Sequence, residues 1–254
     1  LVIGWGEVGG ALASLLAERG DVISIHDPLR RMEASNRPWM WGAEGVRTQL
    51  TYDWMHVCYP WHADFAETTL SYRDRFMPKH TIVHSTLPVG TMGTILMPNL
   101  TYSPVRGLHP DLARHMREFP KWFYTNTGSR EAEAVEAMLH ACGMQTRRAS
   151  SFETLEWMKL METTEYGYRI ALWQEIERQA EVKGFSKEDI KQFLFEKRKV
   201  YDGDRGLAPI MHGGVIGGHC VMQNVGLLER SGAITPALYH WLMESNRMRR
   251  KELK

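Results

Sequence analysis

Leu1-Val2-Ile3-Gly4-Trp5-Gly6-Glu7-Val8-Gly9-Gly10 is the stretch on which the fold turns. Residues 1–3 read as a short buried strand and residues 8–18 as a helix, with Gly-x-Gly-x-x-Gly between them at Gly4, Gly6 and Gly9. Each glycine has its own reason. Gly4 permits the tight turn, Gly6 lets a pyrophosphate approach the backbone, and Gly9 lets helix and strand pack closely. The helix start then offers unpaired N–H groups and a partial positive charge to an anion. Glu7 and Val8, in its first turn, join the three glycines as expected cofactor contacts.

The next apolar run, residues 22–25, leads into His26-Asp27-Pro28. Asp27 stands 18 positions after Gly9, where a carboxylate accepts from a ribose 2′-OH and repels a 2′-phosphate. NAD is therefore expected over NADP, with Arg30 and Arg31 just beyond pulling the other way. Further strands are expected at 55–58, 81–84, 100–102, 122–124 and 144–147, with helices at 62–76, 112–118 and 130–142. Such alternation implies an α/β fold, a Rossmann-type, mostly parallel sheet covered on both faces.

From Ser151 the pattern changes. A long helix opens on the capping pattern Ser151-Phe152-Glu153-Thr154 and stops near Gly184. A second helix covers 188–199 with Ser186 as its N-cap, a glycine-rich loop covers 203–218, and a last helix starts near Pro236. The expected division is a dinucleotide-binding domain over 1–150 and an all-helical catalytic and dimerisation domain over 151–254, built on the long central helix.

Composition narrows the functions. In 254 residues, 31 Lys and Arg balance 30 Asp and Glu, so the net charge of +1 provides no general attraction to nucleic acid or to an anionic membrane. Three scattered cysteines, Cys58, Cys142 and Cys220, form neither a disulfide framework nor a cysteine-rich zinc site, and point to a reducing, cytoplasmic setting. No apolar run approaches the roughly 18–20 residues that span a bilayer. Residues 8–17 resemble the apolar part of a signal peptide, but the glycines before them and Glu7 favour the helix reading. The chain opens on Leu1, almost inside a strand, so a few preceding residues are expected to be missing.

Two places carry reactive side chains. Lys159 lies within Trp157-Met158-Lys159-Leu160-Met161, where desolvation would lower its pKa, and Thr163 shares its helix face. The plainer alternative is a lysine paired with Glu156 or Glu162. Cys220 follows Gly217-Gly218-His219, a candidate nucleophile beside a turn that lets a substrate come close, or else an inert small hydrophobe. His212, His219 and Cys220 match no usual zinc spacing, and no metal is expected. His56, His80 and His140 read as structural.

Taken in order, these motifs resemble the UDP-glucose/GDP-mannose dehydrogenase family. The resemblance covers nearly the whole chain. It rests on the Gly4–Gly9 turn and Asp27, on Val57-Cys58-Tyr59-Pro60, on Ser85-Thr86-Leu87-Pro88-Val89-Gly90-Thr91, on Tyr102-Ser103-Pro104, on Lys159-Leu160 with Gln174-Glu175, and on Gly217-Gly218-His219-Cys220. It implies oxidation of a sugar nucleotide's C6 alcohol to a carboxylate with two NAD. Gly4, Gly6, Glu7, Val8, Gly9, Asp27, Tyr59, Pro60, Ser85 and Thr86 would then hold the cofactor. Cys220 would be the nucleophile, Lys159 the oxyanion stabiliser and Thr86 the residue that positions the water or the reacting oxygen, with Thr163 and Asn224 beside them. Arg205, Gly217 and Gly218 would bind substrate, with Arg205 reaching the neighbouring subunit of a homodimer. Three positions depart from the family. Val105 stands where it has Glu, Thr163 where it has Asn, and Asn224 where it usually has Asp. The family's C-terminal nucleotide-gripping domain has no counterpart before Lys254, as in a fragment or a short relative. Two other readings stay open: a non-catalytic NAD-binding relative, and a dehydrogenase of a small hydroxy acid that uses Lys159 without Cys220.

Overall fold

Val2 and Ile3 are both fully buried, and successive strand residues face opposite sides of a sheet, so a strand this short needs cover on both faces. The computed structural model describes residues 1–28, 40–41, 51–108, 110–202, 212–217 and 219–254; Arg30, Arg31, Arg205 and Gly218 lie outside the described residues. The chain divides into two units, Leu1–Lys159 and Leu160–Lys254.

The first unit is built on an eight-stranded sheet of β1 (Val2–Ile3), β2 (Ile23–His26), β3 (Met40–Trp41), β4 (Trp54–Val57), β5 (His80–Val83), β6 (Leu100–Tyr102), β7 (Lys121–Thr125) and β8 (Thr146–Arg148). Its order is β3-β2-β1-β4-β5-β6-β7-β8. Every neighbouring pair is parallel except β6 with β7. Strand β3 has no counterpart among the strands expected from sequence, because two residues are too few to show an alternation.

Helices α1 (Glu7–Arg19), α3 (Leu112–Glu118) and α4 (Gly128–Ala141) bury Leu12, Leu15, Met116, Val135 and Leu139 in one core with Val2, Ile25 and Phe123. Helix α2 (Phe65–Phe76) and the start of α5 (Phe152–Lys183) bury Phe65, Phe152 and Leu155 in the other, with Ile3, Met55, Val57, Val83 and Tyr102. The split follows the two-residue period strand by strand, Val2 to one face and Ile3 to the other.

The same alternation puts His56, His84, Ser103 and Lys121 on the α1 face, one residue from each of four consecutive strands or strand ends. The Nδ1 of His56 lies 3.1 Å from Nε2 of His84, whose own Nδ1 lies 2.9 Å from the Ser103 carbonyl. One arrangement of protons satisfies the row: His56 donates to His84, and His84 donates to Ser103. Lys121 Nζ donates to the carbonyls of Ser103 at 2.7 Å and Pro104 at 2.9 Å. Burial holds both histidines well below their usual pKa and brings Lys121 down to about 7.

In the second unit α5 continues, followed by α6 (Lys187–Asp202), α7 (His219–Arg230) and α8 (Pro236–Glu252). The caps read from sequence are in place. Ser151 Oγ accepts the Thr154 N–H at 3.0 Å, Ser186 Oγ accepts that of Asp189 at 3.1 Å, and Pro236 opens α8. Ile170, Ala171, Ile216, Val225 and Leu242 form its core. Gly167 lets α5 and α7 approach, since a Cβ there would lie 2.8 Å from Val221 Cγ1.

The buried histidines set an acid limit. Below pH about 6.5 the unfolded chain takes up protons that folded His56 and His84 refuse, so stability falls with pH by up to about 1.4 kcal/mol per unit for each. Urea titrations at pH 7.5, 6 and 5 should show that slope. His84→Gln should make it shallower while lowering stability at pH 7.5 by about 2 kcal/mol, through partners left unpaired. An unchanged slope in the variant would contradict the assignment.

Candidate functional site

The connection leaves β1 toward β2 and β3 on one side, whereas β4 lies on the other. The order of strands therefore reverses between β1 and β4. In open parallel sheets a ligand binds outside the carboxyl ends of the strands at such a point. The turn 4–9 lies there. Gly4 has φ +93°, and a Cβ on it would come within 2.8 Å of the Tyr59 nitrogen, in the loop after β4. A Cβ on Gly9 would come within 2.0 Å of the Gly4 carbonyl oxygen. The chain's own packing thus requires both glycines.

Gly6 differs. It is exposed, it precedes α1 without a side-chain cap, and a Cβ built on it meets no atom of the described residues within 4 Å. No contact among the described residues accounts for a glycine there, and the bare backbone leaves room for a group to lie against it. The residues present therefore fit a bound dinucleotide phosphate, with Glu7 and Val8 opening α1 beside it. Asp27 is half-buried, and its Oδ2 accepts the Trp5 N–H at 2.7 Å, which ties the turn to the end of β2.

The neighbouring loops are tied together as well. Ser85 Oγ donates to the Tyr59 carbonyl at 2.6 Å, so the loop after β5 is held to the loop after β4. The Tyr59 hydroxyl pairs with Thr69 Oγ1 at 2.6 Å, while Pro60 stays exposed and Thr86 half-buried. The structure thus brings Gly4, Tyr59 and Ser85 together. Two further groups escaped the sequence reading. Lys121, 3 % exposed, holds the segment that begins at Ser103, and the charge of half-buried Lys159 bears on it. Its signal was a lone lysine in an otherwise apolar strand. Glu156 has both its oxygens on main-chain N–H groups of the 85–92 loop. It had figured only as an alternative partner for Lys159.

In the second unit Cys220 is half-buried in the first turn of α7, which follows the segment 212–217. The sequence reading had missed this helix, because the glycines before it masked its start. One turn on, Asn224 Nδ2 donates to Thr163 Oγ1 at 2.7 Å. Two of the three departures from the family pattern are therefore one contact. The segment before α7 is held through its backbone. Gly213 N–H donates to Glu177 at 3.3 Å, and the Gly214 carbonyl accepts from Gln174 at 2.7 Å. Asn246 pairs with both the N–H and the carbonyl of Ile216, at 2.7 and 3.1 Å. Gly217 is exposed. The other two thiols are buried, and burial pushes Cys58 up to about 12 and raises Cys142.

No protein-family model matches the sequence, and no curated protein matches it. Solved structures do match in fold. UDP-D-ManNAc dehydrogenase of Pyrococcus horikoshii is 16% identical with a TM-score of 0.76, over 97% of this chain and 68% of that one. A UDP-glucose dehydrogenase of Pyrobaculum islandicum is 14% identical with a TM-score of 0.73, over 97% of this chain and 67% of that one. 3-Hydroxyisobutyrate dehydrogenase of Mycobacterium tuberculosis is 14% identical with a TM-score of 0.64, over 97% of this chain and 92% of that one. At these identities the likeness establishes the fold: a Rossmann-like α/β unit followed by helices, as in nucleotide-sugar dehydrogenases, spanning about two thirds of their length.

Two measurements check this geometry. Gly9→Ala should lose about 2–3 kcal/mol by overpacking, whereas Gly6→Ala should stay within about 1 kcal/mol of the parent, both by urea unfolding. A thiol reagent should modify about one cysteine per native chain, Cys220, and all three after denaturation.

Proposed function

We propose that the chain is an NAD-dependent oxidoreductase that takes the C6 alcohol of a nucleotide sugar to the carboxylate. The observation that carries this reading is the open backbone at Gly6, set between two glycines that packing alone requires. The fold shared with nucleotide-sugar dehydrogenases supports it. Gly4, Gly6, Glu7, Val8 and Gly9 would hold the pyrophosphate, Asp27 the ribose, and Tyr59, Pro60, Ser85 and Thr86 the nicotinamide end. Bound NAD supplies the two-electron acceptor for each oxidation. Cys220 would add to the aldehyde carbonyl as a thiolate and form a thiohemiacetal, with Lys159 countering the charge on its oxygen; the second oxidation would turn this into a thioester, whose hydrolysis frees the acid and the thiol. Thr86 would orient the water that later releases the acid, with Thr163 and Asn224 as a neutral polar pair nearby in sequence to these groups. Arg205, Gly217 and Gly218 would bind the sugar nucleotide, in a homodimer formed along α5. A reducing, cytoplasmic setting keeps the Cys220 thiol available.

A second reading has its own support. Val105 and Asn224 leave two positions of the family pattern without a carboxylate to activate water, and the hydroxyisobutyrate enzyme is matched over nearly its full length. The chain would then oxidise a small hydroxy acid with Lys159 and have no use for Cys220. Incubation with NAD and a panel of UDP- and GDP-sugars and hydroxy acids separates the two. Two NADH per sugar, abolished by Cys220→Ala, supports the first reading. Turnover of a hydroxy acid that survives Cys220→Ala but falls at least 100-fold in Lys159→Ala supports the second. Gly6→Ala should weaken NAD binding about tenfold or more in either case. Unaltered affinity would remove the cofactor from this turn.

A further inference from the structure

We propose that Glu156 is a positioning residue, whose buried carboxylate ties the loop after β5 to the opening turns of α5 and so holds Thr86 and Lys159 on one frame. This rests on the reading of Ser85, Thr86 and Lys159 as parts of an NAD-dependent site. Glu156 is fully buried. Its Oε2 accepts the Gly90 N–H and its Oε1 the Met92 N–H, each at 2.7 Å. The loop supports that presentation from within. Thr91 donates both its N–H and its hydroxyl to the Pro88 carbonyl, at 3.2 and 2.8 Å. Gly90 has φ +92°, and a Cβ there would meet no atom within 4 Å, so glycine serves the backbone conformation and not a close contact. The far end of the loop is fixed by Ser85 on the Tyr59 carbonyl. Pinned at both ends, residues 85–92 have little freedom, and Thr86 lies between the pins. Lys159 follows Glu156 by three residues, on the same side of the helix.

Two converging N–H donors call for a carboxylate. A glutamine has one oxygen and would turn an NH₂ toward the second donor. Protonation has a related effect, since it converts one accepting oxygen into a donor. Burial pushes this carboxyl up to about 7 in spite of the two N–H bonds, and the nearby Glu153 carboxylate on α5 adds to the rise. Tyr102 on β6 also lies beside it, and Lys159 stands three residues on along α5. The clamp is therefore complete above neutral pH and loosened below it.

The test follows hydrogen exchange at the Gly90 and Met92 amides together with NAD affinity by tryptophan fluorescence, at pH 8 and pH 6, in the parent chain and in Glu156→Gln. In the parent, protection of the two amides, corrected for intrinsic rate, should fall at least fivefold from pH 8 to pH 6, and NAD affinity with it. This comparison needs no variant. In Glu156→Gln the protection should be lost at both pH values, NAD should bind about tenfold more weakly at pH 8, and its pH dependence should flatten. Amides of Ile25 and Val135 should keep their protection, which a general loss of packing would not allow. Unchanged exchange at 90 and 92 in the variant, or an NAD pH profile that survives there, overturns the proposal. A parent chain that binds no NAD at either pH sinks the cofactor reading instead. Loss of protection confined to 90 and 92 would then still uphold the clamp, and unchanged protection would still overturn it.

Discussion

A single missing side chain governs the arrangement of the first unit. A Cβ at position 9 would stand 2.0 Å from the Gly4 carbonyl oxygen, closer than any two such atoms can lie. Its absence lets α1 start directly above the end of β1, and lets β1 sit between β2 and β4 with the Gly4 backbone against the loop after β4. That close approach sets the start of α1 at the point where the strand order reverses, with Gly6 exposed in the turn between.

Around this turn the buried polar groups concentrate at the carboxyl ends of the strands. Asp27 holds Trp5, Ser85 holds Tyr59, Glu156 holds Gly90 and Met92, and Lys121 holds Ser103 and Pro104. In each case a side chain satisfies main-chain groups of a loop that leaves the sheet, where the ladder can no longer do so. Such groups are costly to bury and add little net stability even when paired. What they supply is a rim of loops fixed in one geometry, the condition a binding site needs.

The second unit uses the same device on a different problem. The segment 212–217 has three glycines and few side chains to pack, so Gln174, Glu177 and Asn246 hold its backbone before α7 begins. Cys220 is placed by that arrangement and by the core under α7, where Val225 meets Ile170 and Leu242. Thr163 and Asn224, which look like two unrelated departures in the sequence, form one neutral contact. An amide–hydroxyl pair satisfies both side chains without placing a charge in the contact.

Local signals were the legible ones. The glycine turn, the strand–helix alternation, and the caps at Ser151, Ser186 and Pro236 involve residues within a few positions of each other, and the structure has them where the sequence reading put them. Helix α7 escaped because its first turn follows a run of glycines that reads as loop, and β3 because it is two residues long. Lys121 and Glu156 escaped for a different reason. Their partners lie 17 to 66 residues away, and nothing in a neighbouring residue marks a side chain as bound for a distant carbonyl or amide. The amino-acid order by itself determined the class of fold and the place of the glycine turn between β1 and α1. Tertiary structure alone decided which glycine faces outward and which carboxylate locks a loop, because burial and hydrogen-bond partnership are properties of residues brought together from far apart in the chain.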